Sequence, residues 1–506
     1  MNVLIRVDAS IQMGTGHVMR CLALAQAIKS QGDRAHFAIA SCPPMVFDRL
    51  TNEGFTIHFL DSVEPGGVRD VQGTIHLFQQ LECQWICVDG YQFGAEYQQQ
   101  LRTAGCRSLF LDDYGHASSY SADFVLNQNS SAHDGCYQSR HAETNLLLGT
   151  RYTLLRQEFL NWHRWQRYIP ERIGSLLITL GGSDPENITT WILDALQAVD
   201  ISDLTIVVII GAANPHQDLL KVCAARSVHS VQIVSNVTSM PHYIVAADLA
   251  ISAGGSTAWE LALLGLPSLM VTLADNQVAI AESLQGQGIS ISLGTPSQLE
   301  VKQFASVIQQ LDRSVEKRQQ MSDRGRALMD ADGCDRVLMA MAGDTLRLRS
   351  AKWQDCEQLW QWANEAETRQ YSFQPAAISW ESHVDWFQAR LRDANCYFWI
   401  ALDKQDQPIG QVRFDALSID ETQISLSIDR THRHQGFGKT ILNVAIHKIF
   451  RETAFRSISA WIKPDNRASI SVFESVQFIK IESEYRGGEI ALHYQLRKLV
   501  REELSE

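Results

Sequence analysis

Over residues 1–343 the chain repeats one local plan, and that repetition narrows its fold more than any other feature. A short apolar run, Asn2 to Val7, leads into a glycine loop, Gly14-Thr15-Gly16. Next comes a segment whose apolar residues Val18, Leu22, Ala25 and Ile28 recur at helical spacing. The plan restarts with the run Ser175 to Leu180, the loop Gly181-Gly182-Ser183 and a helical pattern through Trp191 and Leu196. Further strand candidates lie at 35–40, 85–88, 108–111, 204–210, 249–252 and 268–271. Strands alternating with helices predict parallel sheets. Ligands of such folds gather in the loops at the carboxyl ends of strands. The expectation is two Rossmann-type lobes, 1–165 and 166–343, joined near Trp162 to Pro170, with a cleft between them.

After about Asp344 the pattern changes. Runs at 397–402 and 408–414 flank Asp406-Gln407, a hairpin signal. Ile424, Leu426 and Ile428 alternate on one strand face, and an amphipathic helix follows from Lys439 to Phe450. Residues 344–506 therefore read as a separate α+β domain, entered through a short basic segment, Arg347-Leu348-Arg349. At 506 residues the chain is too long for one core, which agrees with several domains. Its net charge of -13 argues against nucleic acid or an anionic membrane as main partner. The ten cysteines show no CxxC spacing and read as reduced, buried thiols of a cytoplasmic protein. Charge interrupts the first apolar run at Arg6 and Asp8, so no signal peptide is expected, and no apolar stretch is long enough to span a bilayer.

The loop after the first strand carries the first chemistry. Gly14 and Gly16 permit close backbone approach by a ligand, and His17 stands at the first turn of a helix. Helix N-termini attract phosphate and disfavour positive charge, and a neutral imidazole is what a general base needs. A histidine that merely caps or packs is the alternative.

The run Arg6-x-Asp8-Ala9-Ser10 followed by Gly14-x-Gly16-His17-x-x-Arg20-Cys21-Leu22-Ala23-Leu24-Ala25 resembles the start of the UDP-2,4-diacetamido-2,4,6-trideoxy-β-L-altropyranose hydrolase family. That family belongs to pseudaminic-acid biosynthesis and is similar to the two-lobed GT-B glycosyltransferases. The resemblance continues, in order, through Val88-Asp89-Gly90-Tyr91, Leu111-Asp112-Asp113 and Asn127-Gln128-Asn129. It runs on through Gly149 to Arg156 and Leu180 to Asp184, and ends with the segment from Ser252 to Gln277. It implies that His17 activates the water that attacks the anomeric carbon, with Asp8, Gly14, Gly16 and Arg20 around the substrate. Asp8 reads equally well as a buried support. In the second lobe, Gly254, Gly255, Ser256 and Thr257 form a small-residue loop suited to a diphosphate. Glu260 resembles the acidic residue that binds ribose hydroxyls, and Asn276 and Gln277 are candidate contacts to sugar or phosphate oxygens. UDP is a good leaving group and no acidic metal-binding cluster is evident, so a reaction without metal is expected.

The third domain carries a second glycine loop, Arg433-His434-Gln435-Gly436-Phe437-Gly438-Lys439, between a strand and a helix. Consecutive N–H groups in such a turn suit a pyrophosphate. The loop resembles the acetyl-CoA site of the GNAT superfamily of N-acetyltransferases, and Asn466 and Ser469 match that family's Asn-x-x-Ser. The resemblance implies Arg433, Gln435, Gly436, Gly438, Lys439, Asn466 and Ser469 as acetyl-CoA contacts. Many members place a tyrosine four residues after the serine as general acid; here Phe473 stands there, and Gln477-Phe478 replaces the usual Gly-Phe. Tyr485 and Tyr494 are the candidate substitutes.

Taken together, the resemblances imply consecutive steps: acetylation of the 4-amino group of a UDP-sugar with acetyl-CoA, then release of UDP. The rival readings are a GT-B glycosyltransferase acting on a related UDP-amino sugar, a third domain that only binds acyl-CoA or a partner, and a different UDP-linked amino-deoxy sugar.

Overall fold

The computed structural model describes residues 1–498 except 11, 12, 62, 161, 163, 164, 182, 183, 212, 213, 236, 238, 343–345, 404, 487 and the side chain of 451. The Gly182-Ser183 part of the second glycine loop and the expected boundary at 344 therefore lie outside the described residues. The chain divides into two compact units, Met1–Leu338 and Met339–Glu506.

The first unit holds two parallel sheets. Strands β1 (Asn2–Val7), β2 (Arg34–Ile39), β3 (Thr56–Phe59), β4 (Trp85–Asp89), β5 (Ser108–Leu111), β6 (Phe124–Asn127) and β7 (Asn145–Leu148) are ordered β3-β2-β1-β4-β5-β6-β7. Strands β8 (Ser175–Thr179), β9 (Thr205–Ile210), β10 (Ser230–Ser235), β11 (Leu249–Ala253), β12 (Ser268–Val271) and β13 (Ser290–Gly294) are ordered β10-β9-β8-β11-β12-β13. Each order reverses beside its first strand, at β1/β4 and at β8/β11, the doubly wound arrangement in which ligands bind at the switch point. Strands β4, β5, β11 and β12 are buried along their whole length, as parallel strands covered by helices on both faces must be. That explains their continuous apolar runs. The less buried β3, β7 and β10 lie at sheet edges and gave no sequence signal, since an edge strand has less surface to bury.

The lobes are tied within this unit. The joining segment docks on the second lobe through Arg167, whose guanidinium donates to the carbonyls of Ile244, Ala247 and Leu264. Ser130 Oγ donates to Ser283 Oγ at 2.7 Å across the lobes. The helix Gly333–Ala342 returns to the first lobe, and a Cβ at Gly333 would meet the Thr153 carbonyl oxygen at 2.1 Å, so only glycine fits that crossing.

The second unit is one mixed sheet. Its strands are β14 (Leu346–Ser350), β15 (Cys396–Asp403), β16 (Pro408–Ala416), β17 (Glu421–Ile428), β18 (Ser457–Ile462), β19 (Ile479–Arg486) and β20 (Glu489–Arg497), in the order β14-β15-β16-β17-β18-β20-β19. The segment expected as a basic joint is instead β14. Leu346 and Leu348 point into the core while Arg347 and Arg349 pair with Asp406 and Asp355. Period-two alternation was visible there, but two arginines in three residues hid it. All pairs in this sheet are antiparallel except β17 and β18, which run parallel. Their ladder covers only Glu421 to Gln423 against Ser457 to Ser459 and then stops, although both strands continue. The two therefore open as a V toward their carboxyl ends. One face packs its core on the helix Phe437–Glu452; the other is covered over β15 by the helices Cys356–Ala363 and Trp380–Arg392.

Candidate functional site

In the first lobe the site grows from the switch point. β1 and β4 are neighbours, with Val7 opposite Asp89, so the loop after β1 and the end of β4 meet. The helix Gly16–Ser30 starts there and sets His17 and Arg20 one turn apart on one side. His17 Nδ1 lies 2.7 Å from Asp89 Oδ1. Arg20 grips the same carboxylate with Nε and Nη2, each at 2.6 Å, and reaches Asp113 Oδ1 with Nη1 at 2.7 Å. Burial opposes ionisation of Asp89, but Arg20 and His17 outweigh it and hold its carboxyl far below the usual range. A carboxylate only accepts hydrogen bonds, so His17 Nδ1 carries a proton toward Asp89, with Arg20 Nη2 3.2 Å from the same nitrogen. The chain of contacts continues outward. Asp113 Oδ2 accepts from Tyr91 Oη at 2.7 Å, Asp113 Oδ1 accepts from Asn129 Nδ2 at 3.0 Å, and the Tyr91 ring meets His17 edge-on at 5.0 Å.

The second lobe faces this constellation. Asn276 Nδ2 donates to Tyr91 Oη at 2.8 Å. A Cβ on Gly16 would lie 4.0 Å from Ser256 Oγ, which puts the glycine loop of the first lobe opposite the small-residue loop Gly254 to Thr257. Gly254 packs on Gln277, where a Cβ would come within 3.0 Å of the carbonyl oxygen, so the turn Asp275–Gln277 supports that loop from beneath. Gln277 Oε1 is spent on the Leu273 amide at 3.0 Å. Glu260 is buried and accepts from Arg156 Nη2 at 2.8 Å; burial raises its carboxyl above the ordinary value in spite of Arg156.

Two expected contacts are engaged with protein groups. Asp8 is 2% exposed; it pairs with Arg6 at 2.7 Å and caps the Ala40 and Ser41 amides, as in the buried-support reading of this residue. Arg20 pairs with Asp89 and Asp113 beside His17. Conversely, Asp89, Tyr91, Asp113 and Arg156 stood inside motifs quoted from the sequence, yet their roles depend on partners 22 to 104 residues away.

In the second unit, Gly436 caps the helix Phe437–Glu452 with φ +84°, and the space beside its α-carbon is open. Gly438 serves packing: a Cβ there would sit 3.2 Å from Ile428 and 3.3 Å from Val472. The Arg433 guanidinium turns away from the loop to Glu365, Glu367 and Thr368, so its side chain anchors the loop. Gln435 Nε2 donates to the Thr431 carbonyl at 2.8 Å, while Lys439 is exposed in the first turn. Asn466 caps the helix Arg467–Glu474 by accepting from the Ser469 amide at 3.1 Å. Phe473 is core, edge-on to Phe478. Tyr494 is buried with its hydroxyl on Glu474 at 2.8 Å, and Tyr485 is 78% exposed on the edge strand β19. None of the ten cysteines is in a disulfide. No helix among the described residues is long and apolar enough to cross a membrane.

Residues 176–337 match the glycosyltransferase family 28 C-terminal domain, and residues 345–479 match the acetyltransferase (GNAT) domain. A protein of Methanocaldococcus jannaschii, MJ1062, is 24% identical over 95% of this chain and 97% of its own length. The spore coat polysaccharide biosynthesis protein SpsG of Bacillus subtilis is 25% identical over 67% of this chain and 96% of its own. The UDP-2,4-diacetamido-2,4,6-trideoxy-β-L-altropyranose hydrolase of Campylobacter jejuni is 25% identical over 40% of this chain and 68% of its own. The chain thus joins a pair of Rossmann-type lobes, the second matching the glycosyltransferase family 28 C-terminal domain and the pair similar to that UDP-sugar hydrolase, to a domain that matches the acetyltransferase (GNAT) domain.

Proposed function

We propose that the chain catalyses two consecutive steps of pseudaminic-type sugar synthesis. The GNAT domain acetylates the 4-amino group of a UDP-linked amino-deoxy sugar with acetyl-CoA. The two lobes then hydrolyse UDP-2,4-diacetamido-2,4,6-trideoxy-β-L-altropyranose to UDP and free sugar. The observation that carries the second step is the His17–Asp89 pair at 2.7 Å, locked by Arg20 and facing the Ser256 loop. Nε2 of His17 takes a proton from water as the oxygen attacks the anomeric carbon. The bond from that carbon to the diphosphate oxygen breaks, and UDP leaves with the electron pair. The Gly254 to Thr257 loop receives the diphosphate, and Glu260, held by Arg156, receives the ribose hydroxyls. A chain of this kind is expected to work in the cytoplasm, where acetyl-CoA and UDP-sugars are available, and the hydrolysis needs no metal.

The test is mass spectrometry in ¹⁸O-labelled water with UDP-4-amino-4,6-dideoxy-N-acetyl-β-L-altrosamine, with and without acetyl-CoA. Free diacetamido sugar carrying ¹⁸O, formed only with acetyl-CoA, is the expected product. Label in UDP would mean attack at phosphorus and would refute the role of His17. Sugar recovered as a glycoside would make the lobes a glycosyltransferase.

A further inference from the structure

We infer that Glu421 is the proton acceptor of acetyl transfer, positioned by Ser459, His493 and Gln495 at the vertex of the V between β17 and β18. The inference rests on the acetyltransferase reading above and adds the residue that reading lacks.

The vertex is the last paired position, Gln423 opposite Ser459, and residues paired across a sheet share a face. Glu421, Gln423, Ser459 and Trp461 therefore lie on the face away from the helix Phe437–Glu452, whose core takes Ile424, Ile458, Ala460 and Ile462 instead. On that polar face Ser459, fully buried, donates from Oγ to Glu421 Oε1 at 2.6 Å. A hydroxyl has one proton, so at 2.9 Å Ser459 Oγ must accept from His493 Nε2. This fixes the imidazole as the Nε2–H tautomer. The ring is further clamped by stacking on Trp461 at 4.7 Å and 7°, and Arg486 covers Trp461 at 3.5 Å. Gln495 Nε2 adds a second donor to Glu421 Oε1 at 3.3 Å. Every donor thus converges on one oxygen, and among the described residues nothing is bonded to Glu421 Oε2. A carboxylate held by one oxygen with the other open, on a half-buried side chain that reaches Ser459 at the vertex of the V, is built to take a proton.

A second feature points to a polar acceptor on this face. Gln411, opposite Ser427 on the same face, donates to Ser427 Oγ at 3.1 Å, but its Oε1 is buried and unpaired. A hydroxyl or amide N–H of the acceptor or of the cosubstrate arm would satisfy it.

The step balances without a tyrosine. The acceptor ammonium gives one proton to Glu421 Oε2, which passes it to solvent. The freed lone pair forms the C–N bond with the acetyl carbon. The C–S bond breaks, and the second nitrogen proton leaves with the thiolate as CoA–SH.

Charged groups sharing the face are Arg347 and Arg349 on β14, Arg413 and Asp415 on β16, and Glu489, His493 and Arg497 on β20. From β19 come Glu482, Glu484 and Arg486. The pH test must therefore compare variants of one site.

The full chain is assayed by thiol release with the UDP-4-amino sugar named above, beside acetyl-CoA binding by calorimetry and UDP release from the pre-acetylated sugar. Glu421→Gln is expected to lower kcat about 100-fold or more and to abolish the loss of rate at low pH, with acetyl-CoA affinity and UDP release unchanged. His493→Gln and Ser459→Ala, which remove only positioning, are expected to lower kcat about tenfold and to shift the acid limb of the profile without removing it. A wild-type profile in Glu421→Gln would overturn the inference and leave the acetyltransferase reading intact. A wild-type chain that binds acetyl-CoA but transfers nothing to this sugar would overturn both.

Discussion

Replacing Asp89 by Asn removes one negative charge from the carboxylate that joins His17 to Arg20. In the wild type, its two oxygens accept from His17 Nδ1 at 2.7 Å and from Arg20 Nε and Nη2 at 2.6 Å, and Cys21 Sγ approaches at 3.5 Å. An asparagine offers one accepting oxygen and an NH2 group, so at least one N–H must face another donor. Breaking a buried ion pair from one side costs about 3–5 kcal/mol. Arg20 keeps Asp113 at 2.7 Å, which places the loss near the lower end, about 3 kcal/mol. The cost should depend on pH. The folded carboxyl lies below its unfolded value of about 3.9, so its contribution is complete above that value and fades as pH falls through the folded one. The stability gap between wild type and Asp89→Asn should therefore stay constant from pH 7 to about 4 and narrow only as the pH is taken below that value. The effect on turnover is separate. Without the carboxylate, nothing obliges Nδ1 to hold the proton, and a wrongly tautomeric imidazole costs ~10²–10⁴-fold in kcat. Urea unfolding followed by circular dichroism gives the first number, and UDP release from the diacetamido sugar gives the second. A cooperative Asp89→Asn protein with kcat within threefold of wild type would refute the orienting role. So would full additivity of Asp89→Asn with His17→Ala, because residues acting as a unit lose their effect only once.

His17→Ala is expected to abolish UDP release and leave acetyl transfer intact, while Gly436→Val does the reverse, since φ +84° strains a β-branched residue by about 1–3 kcal/mol; paired assays on each variant check the division of labour. Asn276→Ala removes the hydrogen bond by which the second lobe reaches Tyr91. It should lower kcat for UDP release and raise KM together, with the unfolding midpoint changed by no more than about 1 kcal/mol. Burial opposes charge on His116, but Asp112 at 2.8 Å raises its proton affinity, while the Asp112 carboxyl is held down to about 2. The histidine's contribution to stability is complete below about pH 6.5 and is lost as pH rises through the folded value, so the stability gap between wild type and His116→Gln should narrow from pH 6 to pH 9 in chemical melts.

Much of the architecture could be read along the chain because it is local. Val3–Ile5 and Leu269–Val271 announce buried parallel strands by their apolar runs, and Gly14, Gly16 and Gly436 mark turns into helices. Which strands neighbour one another is not local, and that is what makes the sites. Asp89 reaches His17 only because β4 lies beside β1 in the finished sheet, although β2 and β3 come between them in sequence. The same holds for Glu421, Ser459 and His493, which share no motif and meet because β17, β18 and β20 are adjacent. The partners of two charges were also out of sight in sequence. Asp8 pairs with Arg6 and Arg20 with Asp89 and Asp113, since a buried charge must find a partner. Sequence by itself determined where backbone could turn, which faces had to be buried and which families the glycine loops resemble. Tertiary structure alone decided which carboxylate holds which imidazole, because hydrogen bonds act over about 3 Å while the chain separates their partners by tens of residues.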